Sequence, residues 1–202
     1  MLMKKGFIRK MILKKDDGSL DFHIIALVFL ILIISLTLMK IEERKVYYLK
    51  SNLDNAVVLS TMSANVADIY EFATFNIVYL DATDSSGKIS AYGKNTEVEM
   101  SNGIKIAYQN AYNRFKKALK VNMNRVTNYK VDEFKIYNVS SSKICSFDGA
   151  TYKYEGVKGS VKSPTGDVIN CSGIYSKVTV PVTAMGQGFT IEINEFVDTF
   201  TG

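Results

Sequence analysis

Residues 14–39 read KKDDGSLDFHIIALVFLILIISLTLM, and this stretch decides how the chain is organised. Its last eighteen residues, 22–39, carry no charged side chain, and their only polar members are His23, Ser35 and Thr37. As a helix this segment would span about 27 Å, close to the thickness of the hydrocarbon layer of a bilayer. Because apolar side chains occupy every side of it, we predict a transmembrane helix over residues 19–41. A core helix of a soluble domain is the alternative.

The charges around the apolar segment predict its orientation. Residues 1–18 hold six basic and two acidic side chains, a net charge of +4, so residues 19–202 contribute only +1 to the +5 of the whole chain. Clustered lysine and arginine stay on the cytoplasmic side, which predicts a single-pass protein with a basic cytoplasmic leader over residues 1–18 and an extracytoplasmic C-terminal part. The following sequence, TLMKIEERK, has no small-x-small cleavage site, which disfavours a cleaved secretory signal.

The basic character of the chain is therefore mostly a signal of membrane topology, and we expect no nucleic-acid partner. The densest basic patch outside the leader lies on one predicted helix. Its members are Arg114, Lys116, Lys117 and Lys120. A solvated helix face is the favoured explanation of this patch, and an anionic partner is the weaker one.

Glycine and proline are unevenly distributed along the chain. Neither occurs between Gly18 and Gly87, whereas eight of the thirteen glycines and both prolines lie beyond residue 148. We therefore predict that the membrane helix continues over residues 42–80 as an amphipathic extension, with a free-standing coiled coil as the alternative. Apolar side chains at steps of three and four would form the stripe that seats a globular domain. The stripe consists of Val58, Met62, Val66, Ile69, Ala73, Ile77 and Leu80.

Residues 81–202 predict an α+β head. Residues 81–95 have the composition of a loop, and Ser101 is a plausible cap for a second, amphipathic helix over residues 104–120. Its apolar face would comprise Ile104, Ala107, Ala111, Phe115 and Ala118. From Tyr129 onward the apolar period shifts to two, which predicts a small antiparallel sheet with a hairpin turn at MGQG, residues 185–188. The predicted strands are KVDEFKIYNV, KICSF, TYKYEGV, YSKVTVPVT and FTIEINEFV.

Two cysteines, Cys145 and Cys171, fall in the predicted sheet on the extracytoplasmic side. A cysteine pair in an oxidising compartment usually forms a bond, and closing a loop of this length would contribute about 3 to 4 kcal/mol. We therefore predict a structural disulfide, with two buried free thiols as the alternative. A redox-active pair is disfavoured because the sequence has no C-x-x-C.

The sequence offers little support for catalysis. Its single histidine, His23, lies at the membrane boundary, and no H-E-x-x-H, G-x-S-x-G or phosphate-loop pattern occurs. The loop at residues 81–95 does not fit the calcium-loop pattern. Acidic pairs in the head are typical of ordinary surface charges. These pairs are Glu97 with Glu99, Asp132 with Glu133, and Glu192 with Glu195. We predict a protein that is not an enzyme and has no metal or cofactor.

The segment Gly18-Ser19-Leu20-Asp21-Phe22 followed by a hydrophobic helix resembles the class III prepilin-type proteins, and most closely the TadE-like minor pilins of Tad (Flp) pilus systems. The element Leu53-Asp54-Asn55-Ala56 is similar to the L-x-N-A element on the emerging helix of that family. The resemblance covers roughly residues 14–70. It implies cleavage by a membrane prepilin peptidase after Gly18, which leaves Ser19 as the new N-terminus.

The resemblance also implies an assembly role for Asp21. Pilins typically carry an acid five places after the cleavage site, whereas here His23 holds that place and Asp21 holds the third. A carboxylate near the hydrocarbon edge is costly unless it is paired, and the free α-amine of an incoming subunit is a suitable cation. Asp21 would then set the axial register. In a plain membrane anchor, by contrast, Ser19 would cap the helix and Asp21 would lie favourably at its positive end.

These expectations describe a non-enzymatic, pilin-like subunit of a Tad-like pilus or a related secretion or adhesion assembly. Its expected partners are the membrane, other pilin-like subunits that contact its N-terminal helix, a prepilin peptidase and a pilus assembly platform. The alternative is a single-pass, membrane-tethered binding or sensory module that belongs to no filament.

Overall fold

The computed structural model describes residues 4–84, 90–93, 96–124, 126–184 and 186–199, with side chains from Phe22 onward. The chain divides into two compact units, Met1–Tyr48 and Leu49–Gly202. The described residues form an α+β fold with a long apolar N-terminal helix, two further helices and one five-stranded antiparallel sheet.

Helix α1 spans Lys4–Ala64, so it begins within the predicted leader and ends well before residue 80. It ends because the next residues form backbone bonds with a later segment of the chain. Asp68 N donates to Tyr79 O and Asp81 N donates to Val66 O, each at 2.8 Å. These bonds make a short antiparallel bridge, and the groups that form it cannot also continue a helical ladder. The predicted extension over residues 42–80 is therefore wrong beyond Ala64.

A short second helix, α2, spans Ile69–Phe75. The carboxylate of Asp68 caps it by accepting a bond from the backbone N–H of Glu71 at 3.1 Å. The same carboxylate accepts a second bond from the N–H of Ala82 at 3.2 Å, which fixes the returning segment. The helix ends at Asn76, whose φ of 57° is in the left-handed region.

The apolar stripe that was predicted to seat the head lies largely at the surface. Met62 is 42 % exposed, Val66 40 % and Ile69 80 %. The buried face of α1 is instead rotated around the helix and made mainly of small side chains. It comprises Leu53, Ala56, Val57, Ser60, Thr61 and Ala64. The head therefore packs closely against small side chains of α1 rather than against a stripe of large apolar residues.

Helix α3 spans Glu97–Asn122 and begins earlier than the predicted cap at Ser101. Thr96 and Glu99 form a capping box, in which each side chain accepts a bond from the other residue's backbone N–H. The predicted apolar face is buried at Ile104, Ala107, Ala111 and Phe115, and Leu119 rather than Ala118 completes it.

Five strands follow α3, close to the predicted positions. They are β1 Lys130–Val139, β2 Lys143–Phe147, β3 Tyr152–Val157, β4 Gly173–Ala184 and β5 Gln187–Asp198. Their order in the sheet is β3-β2-β1-β4-β5, and every neighbouring pair is antiparallel. Ala184 pairs with Gln187, so β4 and β5 form a hairpin where one was predicted. Gly186 in that turn has a φ of +75°, which favours glycine.

The main core lies between the sheet, the buried face of α1 and helix α3. Aromatic rings join α3 to the sheet: Phe115 and Tyr112 contact Phe134 on β1, and Tyr108 contacts both Phe134 and Phe147. A second, smaller cluster covers the opposite face of the sheet. Its buried members are Tyr137, Val139, Ile144, Ile169 and Tyr175.

Candidate functional site

The apolar segment of α1 has the properties of a membrane span. An 18-residue window in the part of the helix from Phe22 onward has a mean hydropathy of 2.8, and none of it is buried within the protein. The hydroxyl of Thr37 donates to the carbonyl of Ile33 at 2.8 Å, so this polar group is satisfied inside the helix. Of the helices in the described ranges, this is the one long and apolar enough to cross a membrane.

Charged residues return immediately after this segment. Lys40 pairs with Glu43 and Lys45 with Glu42, each at 2.7 Å and one turn apart on the helix. Tyr47 is 72 % exposed, and its neighbour Tyr48 is also exposed. Water-facing ion pairs therefore border the apolar segment on its C-terminal side.

The residues predicted for processing and assembly fall where side chains are not described. Gly18, Ser19 and Asp21 lie within the bounds of α1, and the positions and contacts of their side chains are outside the described residues. The L-x-N-A element can be placed. Leu53 is 2 % exposed and Ala56 5 %, so both belong to the core of the head.

The predicted disulfide is absent: Cys145 and Cys171 are both free thiols. The order of the strands explains this result. Cys145 lies on β2 and Cys171 just before β4, and β1 separates these two strands. Two strand spacings amount to about 10 Å, whereas bonded cysteines need Cα atoms within about 7 Å.

Cys145 lines a cavity of about 570 Å³ at one end of the sheet. Four separate parts of the chain build this cavity: the segment after α2, the first turn of α3, the start of β2, and β3. The lining residues are Ile77, Tyr79, Glu97, Met100, Ser140, Lys143, Cys145, Tyr152 and Tyr154. A volume of this size suits a small organic molecule.

Neutral polar groups form part of the lining of this cavity. The hydroxyl of Tyr152 donates to the Sγ atom of Cys145 at 3.1 Å, and Tyr79 is 2 % exposed. Burial, with a smaller contribution from Cys145, raises the pKa of Tyr79 to about 12. Burial and the neighbouring thiol also raise the pKa of Tyr152, and the carboxylate of Glu97 adds to that shift. Both phenols are therefore protonated at neutral pH.

Two exposed side chains of opposite charge complete the lining. Glu97 comes from the first turn of α3, and Lys143 is the first residue of β2. Among the ion pairs of the described residues, neither side chain takes part in one. The cavity thus presents a carboxylate and an ammonium group, neither of which forms an ion pair with another described residue, beside an aromatic wall.

A second cavity, of about 430 Å³, adjoins the first, because Ile77 and Ser140 line both. Lys158 and Cys171 line only the second cavity. No local sequence pattern indicates either cavity, because their walls come from segments that are far apart along the chain.

A buried acidic group was also missed at the sequence level. Glu71 on α2 is fully buried, and no hydrogen bond within the described residues reaches either of its carboxyl oxygens. Burial raises the pKa of Glu71, and the negative charge of Asp68 adds to the effect, while the nearby hydroxyl of Ser90 opposes it. The sequence feature that could have indicated this buried acid is a glutamate among mainly apolar and aromatic residues, in the segment IYEFATF.

One member of each acidic pair noted in the sequence holds a structural position. Glu99 caps α3, Asp132 accepts bonds from Lys130 and Thr179, and Glu192 pairs with Lys177 at 2.7 Å. The basic patch on α3 is partly engaged as well, because Arg114 forms an ion pair with Asp81. Within the described residues no three histidine, cysteine, aspartate or glutamate side chains are grouped so that they could hold a metal ion.

Comparison with known proteins gives no relative from which to transfer a function: no protein-family model, no curated protein and no solved structure matches this chain.

Proposed function

We propose that this protein is a pilin-like structural subunit, similar to the TadE-like minor pilins of Tad pilus systems, anchored in a membrane by α1. The subunit would enter a pilus, or a related secretion or adhesion assembly, through contacts between N-terminal helices. A prepilin peptidase would process it after Gly18, and its head would lie on the extracytoplasmic side.

The observation that carries this proposal is the double use of α1. Residues 22–39 of this helix present apolar side chains that none of the other described residues covers. Between Leu53 and Ala64 the same helix supplies one wall of the core of the head. A plain tether needs no such arrangement, because a flexible linker between anchor and domain would serve equally well.

Mass spectrometry of the mature N-terminus tests the processing step. The chain is expressed in a host that carries a prepilin peptidase, and the membrane fraction is analysed. A mature start at Ser19 supports the pilin route, whereas a chain that keeps its leader contradicts it. A Gly18→Leu variant is the control, because it should retain the leader in the same host.

The Asp21→Ala variant tests assembly. We expect normal insertion into the membrane and loss of incorporation into assemblies, because the carboxylate would no longer pair with the α-amine of the next subunit. Asp167→Ala is a matched control in an exposed loop of the head and should assemble normally. Unchanged incorporation of the Asp21 variant would refute the register role.

The cavity at Cys145 favours a second candidate function, a membrane-tethered extracytoplasmic binding module. Its volume and its free charges are features of a ligand site rather than of a purely structural head. An unprocessed N-terminus together with specific ligand binding would support this candidate over the pilin-like subunit.

A further inference from the structure

We propose that the cavity between α3 and the β2–β3 hairpin binds a small zwitterion with an apolar body, of which a free apolar α-amino acid is the simplest example. The inference does not depend on assembly into a filament. It gives the second candidate function a ligand class, and its test is separate from the N-terminal analysis above.

The walls of the cavity require an apolar body. Ile77 and Met100 supply aliphatic surface, and Tyr152 and Tyr154 supply aromatic rings. Tyr154 is 51 % exposed, although a large ring on a strand is usually covered. A flat or branched apolar group placed against these rings would cover surface that is now in contact with water.

The charges of the cavity require a dipolar ligand. A simple anion would be attracted by Lys143 but repelled by Glu97, and a simple cation would meet the opposite combination. A molecule that carries both an ammonium and a carboxylate group offers a partner of opposite charge to each side chain. The two side chains belong to different elements, α3 and β2.

The hydroxyl groups of Tyr79 and Tyr152 give one part of the lining hydrogen-bonding capacity, but they carry no charge. Tyr79 and Tyr152 are protonated, and the Tyr152 hydroxyl is already directed at the thiol of Cys145. This region therefore suits the uncharged side chain of a ligand, while its charged end stays with Glu97 and Lys143.

Calorimetric titration of the full chain in lipid nanodiscs tests the proposal with four probes. They are L-phenylalanine, N-acetyl-L-phenylalanine, L-phenylalaninamide and the dipeptide phenylalanylphenylalanine. The second probe lacks the ammonium group and the third lacks the carboxylate. The dipeptide holds the same two charges farther apart, so its affinity relative to phenylalanine distinguishes a short peptide from a free amino acid as the preferred form.

We expect phenylalanine or the dipeptide to bind about fivefold more tightly than either blocked probe, the size of effect typical of one partly exposed charge pair. Glu97→Gln should weaken binding about fivefold and abolish the preference over the N-acetyl compound. Lys143→Gln should likewise abolish the preference over the amide. Lys158→Gln is the matched control, because Lys158 lines only the neighbouring cavity and its loss should change neither preference.

Alkylation provides a second readout that does not require a change of sequence. A bound ligand should slow the reaction of Cys145 with iodoacetamide, while Cys171, which lines the other cavity, serves as the internal control. The proposal is overturned if no probe binds at about 10 mM, or if the blocked probes bind as tightly as phenylalanine and the dipeptide. Equal protection of both cysteines would also overturn it.

Discussion

Replacement of Glu155 on β3 by glutamine tests the electrostatics of the head most directly. The side chain of Glu155 is 10 % exposed. One carboxylate oxygen accepts bonds from Lys135 at 2.5 Å and Ser146 at 2.7 Å, and the other pairs with Lys153 at 2.8 Å. Burial alone would raise the pKa of Glu155, but these three donors outweigh it and lower the pKa from 4.5 to about 2.

The size of the effect follows from this pKa. A carboxylate whose pKa is lower in the folded protein stabilises the fold above its unfolded pKa, and that contribution is lost as the pH falls through the folded pKa. The lowering of the Glu155 pKa from 4.5 to about 2 corresponds to about 3 kcal/mol. Because the side chain of Lys153 is 64 % exposed, water screens part of the interaction, and we expect about 2 kcal/mol. Glu155→Gln should lower the free energy of unfolding by this amount near neutral pH, and the difference should shrink between pH 4.5 and about 2.

Urea unfolding of the full chain in detergent micelles, followed by tyrosine fluorescence, measures this difference. Glu192→Gln is the control, because Glu192 also pairs with a lysine at 2.7 Å but is 52 % exposed, and its loss should leave the unfolding midpoint unchanged. A penalty for Glu155→Gln that stays the same at about pH 2 would refute the electrostatic explanation, since most of the stability that the ionised carboxylate contributes is lost at that pH.

Four further substitutions test the packing and titration of the head by the same unfolding assay. Glu71→Gln should be more stable than the native chain at about pH 8 and equal to it at about pH 4. Burial raises the pKa of Glu71, so the native fold loses stability as the pH rises from the unfolded-state pKa of this carboxyl through its folded-state pKa. A stability difference that does not change with pH would contradict this explanation. Gly103→Ala should cost about 1 to 3 kcal/mol, because its Cβ would lie 2.3 Å from the buried ring of Tyr92; wild-type stability would refute the contact. Ala64→Leu should cost about 1 to 3 kcal/mol by overpacking, whereas Met62→Ala at the exposed face should change stability by less than about 0.5 kcal/mol. A larger loss of stability for Met62→Ala than for Ala64→Leu would place the buried face of α1 elsewhere.

The sheet could be predicted from the sequence because its signals are local. Alternating side chains and turn residues are read over a few positions, and they placed all five strands within about two residues of their ends. The hairpin between β4 and β5 was equally local, because Gly186 adopts the positive φ that the turn needs. Most of the buried face of α3 followed from its helical period.

The end of α1 could not be predicted in the same way. No glycine or proline marks it, and what stops the helix is the pairing of Ala67 with Leu80, across a segment that includes α2. The prediction that the apolar stripe would be buried was wrong for a related reason. Its spacing assumed an uninterrupted helix, and it ignored small and hydroxyl-bearing residues such as Ser60 and Thr61, which are completely buried.

The cavity lay beyond sequence reasoning because tertiary structure alone assembles it. Glu97 and Lys143 are far apart in the chain, and neither belongs to a recognisable motif. The cysteines illustrate the same limit. Their presence in the head was evident, but whether they could bond depended on the order of the strands, in which β1 lies between them.

The buried hydroxyl groups of α1 explain how one helix can serve two different environments. Ser60 donates to the carbonyl of Ala56 at 2.5 Å and accepts a bond from Asn122 of α3 at 3.0 Å, while the Thr61 hydroxyl lies 2.8 Å from that of Ser176 on β4. These bonds satisfy the polar groups and tie α1 to both the helix and the sheet of the head. In the apolar segment, by contrast, the Thr37 hydroxyl bonds within its own helix, and no other described residue buries the side chains of that segment. The change from large exposed side chains to small, hydrogen-bonded ones therefore distinguishes residues 22–39 from residues 53–64, which belong to the core of the head.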